Sequence, residues 1–468
     1  MSAKKIDLEV VQRLTKSLDF VSVGGVTLFL TLQQAHTPLA ANAAGFLALF
    51  LAFAVLLVLR GARLYTTAAY AHGLATAAKS FLAASLIACL CYFAAPLVGL
   101  KLTLSWINLW LGCAAIYFAA TRLAAALWTR TLASQGALKQ RIAIVGGGKA
   151  AEAAIALLEA SNTLDTEIVG LFDDRFDNRS PESIRKHRKL GTISELADFA
   201  RHNPIDLVIV AIPMSAEQRL LQILKRIWEL PVDIRISAAA AELKLSPRAY
   251  TYLGQLPLLN AFERPLSGWD SFLKASMDKA IALVALIALS PVMLGTALAV
   301  KLESKGPVIF RQKRFGFNNE LVEVFKFRSM YTDMSDASAS KLVTKDDPRV
   351  TRVGRIIRKT SLDELPQLFN VLLGTLSLVG PRPHATQAKA AGTLYEQVVD
   401  GYFARHKVKP GITGWAQIRG WRGETDTREK LEQRVKHDLE YIDRWSLGFD
   451  LYILAKTPLA LLRSENAY

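Results

Sequence analysis

The sequence predicts a three-part membrane protein: four transmembrane helices over 1–138, a doubly wound α/β (Rossmann-like) domain over 139–265, and an α+β domain over 266–468. A re-entrant membrane helix near 276–300 belongs to the third part. Three observations carry this prediction. Long apolar runs open the chain, short β-branched runs alternate with helical patterns in its middle, and arginine, lysine, glycine and proline crowd a few acidic residues after Lys301. At 468 residues the chain exceeds one domain, and with 51% of its residues apolar a membrane class is the natural prior. A formal net charge of +16 suits a partner that is itself anionic, whether nucleic acid, an acidic bilayer surface or phosphorylated substrates, and composition alone does not choose among them. Cys89, Cys91 and Cys113 fall inside apolar runs without metal-ligand spacing, so they read as small buried hydrophobes rather than a disulfide framework or a zinc site. No cleaved signal peptide is expected, because the first apolar stretch is followed by others and lacks a cleavage site.

Apolar stretches at 20–32 (extended at both ends by uncharged residues), 43–59, 81–97 and 107–127 are the predicted crossings of about 30 Å of hydrocarbon. The first is the weakest. Arg122, inside the fourth, is expected to snorkel from a helix end. Arg60, Arg63 and Lys79 lie between the second and third spans, and Arg122, Arg130, Lys139 and Arg141 mark the end of the fourth. The loop at 33–42 has no lysine or arginine, and the loop after the third span has only Lys101. The positive-inside rule then makes both chain ends cytoplasmic.

A fifth apolar run, 280–300, has the length of a span, but it is basic on both sides: Lys274 and Lys279 precede it, and Lys301, Lys305, Arg311, Lys313 and Arg314 follow. Ser290-Pro291 interrupts its middle, where proline removes a helix hydrogen bond. A helix that enters, breaks at Ser290-Pro291 and returns keeps both flanks on one side. A kinked fifth span is the alternative.

In the middle part, strands are predicted at 141–145, 168–172, 206–212 and 232–236. Gly146, Gly148 and Ala151 match the glycine pattern that brings a pyrophosphate to a helix N-terminus, and Asp173 or Asp174 is placed to meet a ribose. Small residues there also serve strand-to-helix packing. A nucleotide-sugar dehydrogenase or epimerase of the short-chain type would need a Tyr-x-x-x-Lys pair, yet Tyr250 and Tyr252 have Gly254 and Leu256 four residues on. A regulatory or structural role is therefore expected for this part, with a homo-oligomer left open.

The third part concentrates the chemistry. Lys326 and Arg328 share a face of a predicted strand by the two-residue period. Arg352, Arg355 and Arg358 recur every three residues along a helical turn. Ser361-Leu-Asp-Glu-Leu-Pro-Gln367 opens an amphipathic helix that ends at Gly374, so Asp363 and Glu364 are expected in its first turn, where free N–H groups stabilise carboxylates. A plain capping box, Ser361 with Glu364, is the structural alternative. Read chemically, one carboxylate attacks phosphorus and the other holds Mg²⁺, while arginines bind the diphosphate. Gly380-Pro-Arg-Pro383 fixes Arg382 in a rigid turn, and Trp415 and Trp421 alternate with bends and donors; core packing is the plainer reading for each tryptophan.

The Arg-Lys-Thr-Ser-Leu-Asp-Glu-Leu-Pro-Gln segment, the Pro-Arg-Pro turn and the segment Lys409-Pro-Gly-Ile-Thr-Gly-Trp-Ala-Gln417 resemble the monotopic phosphoglycosyl transferases, or bacterial sugar transferases, over about 274–468. The four spans and α/β module ahead of that core are similar to the large polyprenol-phosphate hexose-1-phosphate transferases. Gly420-Trp-Arg-Gly-Glu-Thr-Asp-Thr427 is similar to the undecaprenyl-phosphate glucose phosphotransferases that start exopolysaccharides. The resemblance implies UDP-glucose as donor with UMP released, galactose or another UDP-hexose being the alternative, undecaprenyl phosphate as acceptor and no nucleic acid partner, Asp363 as nucleophile, and Glu364 as the Mg²⁺ ligand. It implies phosphate contacts from Arg358 and Arg382, to which Arg328 and Arg422 are added as basic candidates, and a location in the bacterial inner membrane with the site facing the cytoplasm. Ser290-Pro291 matches the break of the family's re-entrant helix. One departure is Lys274-Ala275, where the family has Lys-Arg; Asp278 is kept.

Overall fold

The computed structural model describes residues 8–463 except 36, 135–138, 162–165, 177–180, 214, 240–250, 267, 333–346, 385–388, 391–392, 400, 422 and 424–426. The chain divides into two compact units, Met1–Lys139 and Gln140–Tyr468.

The first unit holds helices α1 (Leu8–Leu32), α2 (Pro38–Gly61), α3 (Thr67–Ala71), α4 (Gly73–Ala94) and α5 (Leu104–Ser134). Among the described residues, α2, α4 with the turn after it, and α5 are long and apolar enough to cross a membrane, whereas α1, which carries Arg13, Lys16 and Asp19, is not. It packs with the others nonetheless. Trp106 and Trp110 of α5 donate their indole N–H to Thr31 and Thr27 of α1, at 3.1 and 2.9 Å. Arg122 does not snorkel. It is fully buried and pairs with Asp19 at 2.5 Å, and the hydroxyls of Tyr65 and Tyr117 donate to the same carboxylate. Burying a guanidinium in an apolar bundle requires such a partner. The cysteines are free, and Cys113 is exposed rather than buried, on a bundle whose outer surface is apolar.

The second unit begins with β1 (Gln140–Val145), α6 (Lys149–Ala160), β2 (Thr166–Phe172), β3 (Ser183–Ile184), β4 (His187–Gly191), α7 (Ile193–His202), β5 (Leu207–Val210), α8 (Glu217–Ile227), β6 (Asp233–Ser237), β7 (Thr251–Leu253) and β8 (Leu256–Phe262). These strands form one sheet in the order β3-β4-β2-β1-β5-β6-β8-β7. The central five are parallel; β3 and the β7-β8 pair are antiparallel additions at the two edges. Parallel strands must be covered on both faces. Here α7 and α8 pack on one face and α6 on the other, which is why β1 and β5 read as continuous apolar runs.

The rest comprises α9 (Gly268–Glu303), β9 (Ile309–Phe315), β10 (Leu321–Phe327), α10 (Arg352–Lys359), α11 (Gln367–Leu373), β11 (Ser377–Val379), β12 (Lys389–Ala390), β13 (Thr393–Leu394), α12 (Tyr395–Val398), β14 (Gly411–Thr413), α13 (Trp415–Ile418), α14 (Arg428–Asp443) and α15 (Leu447–Arg463). Helix α9 is also long and apolar enough to cross a membrane. Helical residues continue on both sides of Pro291, which lies inside the helix where the break is expected. The reason is local. Proline lacks the N–H that would bond the carbonyl of Ile287, and the Ser290 hydroxyl donates to that same carbonyl at 2.8 Å.

Both ends of α9 are tied to one body. Near its start, Lys274 pairs with Asp450 of α15 at 2.7 Å, and Asp278 accepts from the Ser377 hydroxyl at 2.6 Å. At its end, Glu303 accepts from the N–H groups of Arg352 and Val353, which open α10. Its inner face joins two apolar clusters: Ala282 with Leu368, Val379 and Ile453, then Met293 and Val300 with Phe327 and Ile357. Its outer face exposes Leu283, Val284, Ile287, Leu294, Leu298 and Leu302.

Candidate active site

Asp363 and Glu364 do not open a helix. They occupy a single 3-10 turn, Leu362–Glu364, and α11 starts only after Pro366. Ser361 enters this turn with φ +60°, a left-handed conformation costly for a residue with a Cβ, and its side chain makes no cap. The capping box is therefore absent, and Glu364 is turned inward.

There it meets two cations. Arg382 grips both carboxylate oxygens of Glu364, with Nη2 2.5 Å from Oε1 and Nη1 3.2 Å from Oε2, and Lys326 Nζ lies 2.9 Å from Oε1. Burial alone would raise the Glu364 pKa, but Arg382 and Lys326 outweigh it and hold the group well below its ordinary range. Asp363, one residue earlier, has the opposite balance. Burial and the adjacent Glu364 charge raise its pKa, against the opposing pull of Lys326, Arg358 and Arg382. The two carboxylates are thus unlike: one is locked in ion pairs, the other stands half-buried beside the cations.

Each cation is delivered by its own element. Lys326 projects from β10, paired with β9 in a hairpin. Burial and the nearby arginines act against its charge, Glu364 and Asp363 for it, and its pKa is lowered on balance. Arg358 ends α10 half-buried, while Arg352 and Arg355 of the same row are exposed. Arg382 sits in the Pro-Arg-Pro turn that follows β11. That turn is clamped against the next strand: Gly411 N–H donates to Pro381 O, and a Cβ on Gly380 would lie 2.5 Å from Lys409 O. From the other side Arg405 donates to Arg382 O at 2.8 Å and to Asp438 at 2.6 Å, with Nη1 also 2.6 Å from His384 Nδ1. Burial and the flanking Arg405 and Arg434 keep His384 well below its ordinary pKa, hence neutral.

One candidate from the sequence goes elsewhere. Arg328 does not reach the carboxylates; β10 ends at Phe327, and the guanidinium turns to the carbonyls of Val300, Ser304 and Lys305, capping the end of α9. Arg422 lies outside the described residues, although Arg434 holds the carbonyls of its neighbours Trp421 and Gly423. Trp415 follows the plainer reading: it donates to Glu440 and packs edge-on against Phe449. Arg314 reads in the sequence only as part of the basic flank after the fifth apolar run, not as a site residue. It is half-buried near Arg382, donates to Pro383 O at 2.6 Å, and its pKa falls to about 10 through desolvation and that neighbouring charge. Its signal was at most one basic residue among several in a strand.

In the α/β sheet, Gly146 and Gly148 both have positive φ at the β1–α6 turn, and a Cβ on Gly146 would lie 2.8 Å from Ala211 O. Close packing alone thus requires glycine there. Asp173 is buried and paired with Arg219 at 3.0 Å, and Asp174 with Arg226 at 3.0 Å.

Comparison with known proteins matches residues 269–464 to the bacterial sugar transferase family and residues 46–238 to a CoA-binding domain. A protein of Xanthomonas campestris pv. campestris, named a UDP-glucose:undecaprenyl-phosphate glucose-1-phosphate transferase, is 35% identical over 79% of this chain and 76% of its own length. The chain belongs to the bacterial sugar transferases. This sugar transferase is also 42% identical to an undecaprenyl-phosphate glucose phosphotransferase of Komagataeibacter xylinus, over 71% of this chain but 60% of that protein. A third relative, from Aeromonas hydrophila, is named a UDP-N-acetylgalactosamine-undecaprenyl-phosphate N-acetylgalactosaminephosphotransferase; it is 43% identical over 42% of this chain and 45% of its own length. The carboxylate turn, Arg382 and Lys326 all fall inside the transferase match, in a membrane protein with a Rossmann-like module.

Proposed function

We propose that this chain transfers glucose 1-phosphate from UDP-glucose to undecaprenyl phosphate, releasing UMP and forming undecaprenyl-diphospho-glucose, the first membrane step of an exopolysaccharide. The observation that carries this reading is the unlike carboxylate pair. Glu364 is already neutralised by Arg382 and Lys326, whereas Asp363 beside it accepts no hydrogen bond among the described residues. A poised, unengaged carboxylate flanked by cations suits attack on phosphorus.

An oxygen of Asp363 attacks the β-phosphorus of the donor. The bond from that phosphorus to the oxygen bridging to the α-phosphate breaks, and UMP leaves with the electron pair. An oxygen of the lipid phosphate then attacks the same phosphorus, and Asp363 departs as carboxylate. Arg358 and Arg382 neutralise charge on the non-bridging oxygens, and Lys326 keeps both carboxylates ionised.

The pair also fits Mg²⁺. It offers hard oxygen donors, and this ion usually takes one or two carboxylates and completes its shell with substrate phosphates and water. Glu364 would hold it by yielding part of its ion pairing, and the ion would supply further neutralisation of the diphosphate. Undecaprenyl phosphate and the inner membrane are reached through α9, whose two ends bind one body while its outer face is apolar, in keeping with a helix that re-enters one leaflet. Basic flanks on both sides favour the cytoplasmic face. The relative named for N-acetylgalactosamine supports a second reading, the same reaction with another UDP-hexose.

Purified protein given UDP-glucose, Mg²⁺ and undecaprenyl phosphate should release UMP, and a panel of UDP-hexoses should rank glucose first. Asp363→Asn should abolish release and leave the melting temperature within a few degrees of the parent. Normal turnover in that variant, or no UMP from any UDP-hexose, refutes the assignment.

A further inference from the structure

A cavity of about 210 Å³ opens between α9, the carboxylate turn, α13 and α15. It is distinct in character from the cation cluster. Its walls are chiefly apolar: Ala285 and Leu289 come from α9, and Ala460 from α15. Glu364 of the carboxylate turn also lines it. Toward α13, Gln417 is more than nine-tenths buried, and its Oε1 has no hydrogen-bond partner among the described residues. Nearby, Thr413 and Thr457 satisfy one another at 2.8 Å.

We propose that this cavity receives the first isoprenoid segment of the lipid acceptor, with the phosphate directed to the Asp363–Glu364 turn. The inference rests on the function proposed above and assigns the acceptor a seat that the cation cluster does not provide. Three features select a hydrocarbon chain. The volume lies below the usual 300–1,000 Å³ of a small-ligand pocket, so it admits part of a ligand rather than a whole nucleotide sugar. Its apolar walls favour an apolar occupant through the hydrophobic effect and offer a sugar hydroxyl almost nothing. One wall is α9, which among the described residues is the helix of this unit long and apolar enough for hydrocarbon, so the cavity borders the element suited to deliver a lipid chain. The buried Gln417 oxygen calls for a donor, which a singly protonated phosphate or its bound water provides.

The test uses the full chain in lipid nanodiscs and separates the two half-reactions. Leu289→Trp and Ala460→Phe fill the cavity from opposite walls. With UDP-glucose alone, both should give the parent's stoichiometric burst of UMP. Discharge of the labelled enzyme by undecaprenyl phosphate should then slow at least tenfold, while Leu283→Trp on the outer face leaves discharge unchanged. Parental discharge in both filled variants overturns the proposal, and so does loss of the burst itself, which would assign the cavity to the donor. Absence of any burst in the parent refutes the proposed function instead, before lipid is added. Should a filled variant fail to fold, a benzophenone side chain at position 289 should crosslink labelled undecaprenyl phosphate and one at 283 should not. Equal labelling at the two positions, or none at 289, overturns the inference.

Discussion

Asp363 and Glu364 are chemically identical groups one residue apart, and the fold makes them different. Glu364 accepts three hydrogen bonds from cations; Asp363 is raised by burial and by its neighbour's charge. Since attack requires the ionised form, the rate should fall as pH drops through the pKa of Asp363, with a midpoint above the ordinary aspartate value of about 3.9. Lys326→Met removes a charge that lowers this pKa, so the midpoint should move further up; pH profiles of single-turnover UMP release test both statements. Arg405 acts at one remove, holding Arg382 O while paired with Asp438. Arg405→Leu leaves that buried carboxylate unpaired and should cost about 3–5 kcal/mol, read as a lowered melting midpoint. The carboxylates and Arg382 were legible because they stand in short motifs with proline and glycine punctuation. Lys326 as the partner of Glu364 was not: the two are joined only by tertiary folding, and a period-two pattern gives a face, not what that face meets.

At the scale of elements, the pattern of apolar runs and β-branched segments located the helices and the parallel strands, because those follow from periodicity. Errors arose at element ends. Arg328 was grouped with Lys326 as if the strand continued, but the strand stops at Phe327 and Arg328 becomes the C-terminal cap of α9. Arg328→Met should therefore destabilise the protein by about 2–3 kcal/mol, as expected for lost charged hydrogen bonds, and leave the donor KM unchanged. A raised KM at unchanged stability would return it to phosphate binding. At Pro291 the sequence shows the missing N–H but not that the hydroxyl beside it takes the freed carbonyl, so that helical residues continue past the proline.

For the whole molecule, the two ends of α9 decide topology. Both are tied to one folded body, so cysteines introduced at Lys279 and Lys305 in a cysteine-free background should react with an impermeant maleimide from the same side of the membrane. Reaction from opposite sides would make α9 a true crossing. The transferase part and the α/β sheet meet within one unit. Asn318 donates to Ala200 O of α7, and the Lys407 ammonium lies 5.0 Å over the Trp228 ring at the end of α8. None of these pairs was legible, because each joins surfaces that look ordinary in their own segments.

The stretch Tyr402–Lys407 bears on how this sequence is free to drift. Tyr402 meets His384, Phe403 lies under Arg201, Ala404 has no exposed surface, Arg405 supports the Pro-Arg-Pro turn, His406 bonds Asn319 and Lys407 covers Trp228. A short 3-10 helix ordinarily leaves at least one outward position that accepts almost any residue. This one leaves none, so six neighbouring codons are constrained together, and substitution here is tolerated only with a matching change in a distant segment.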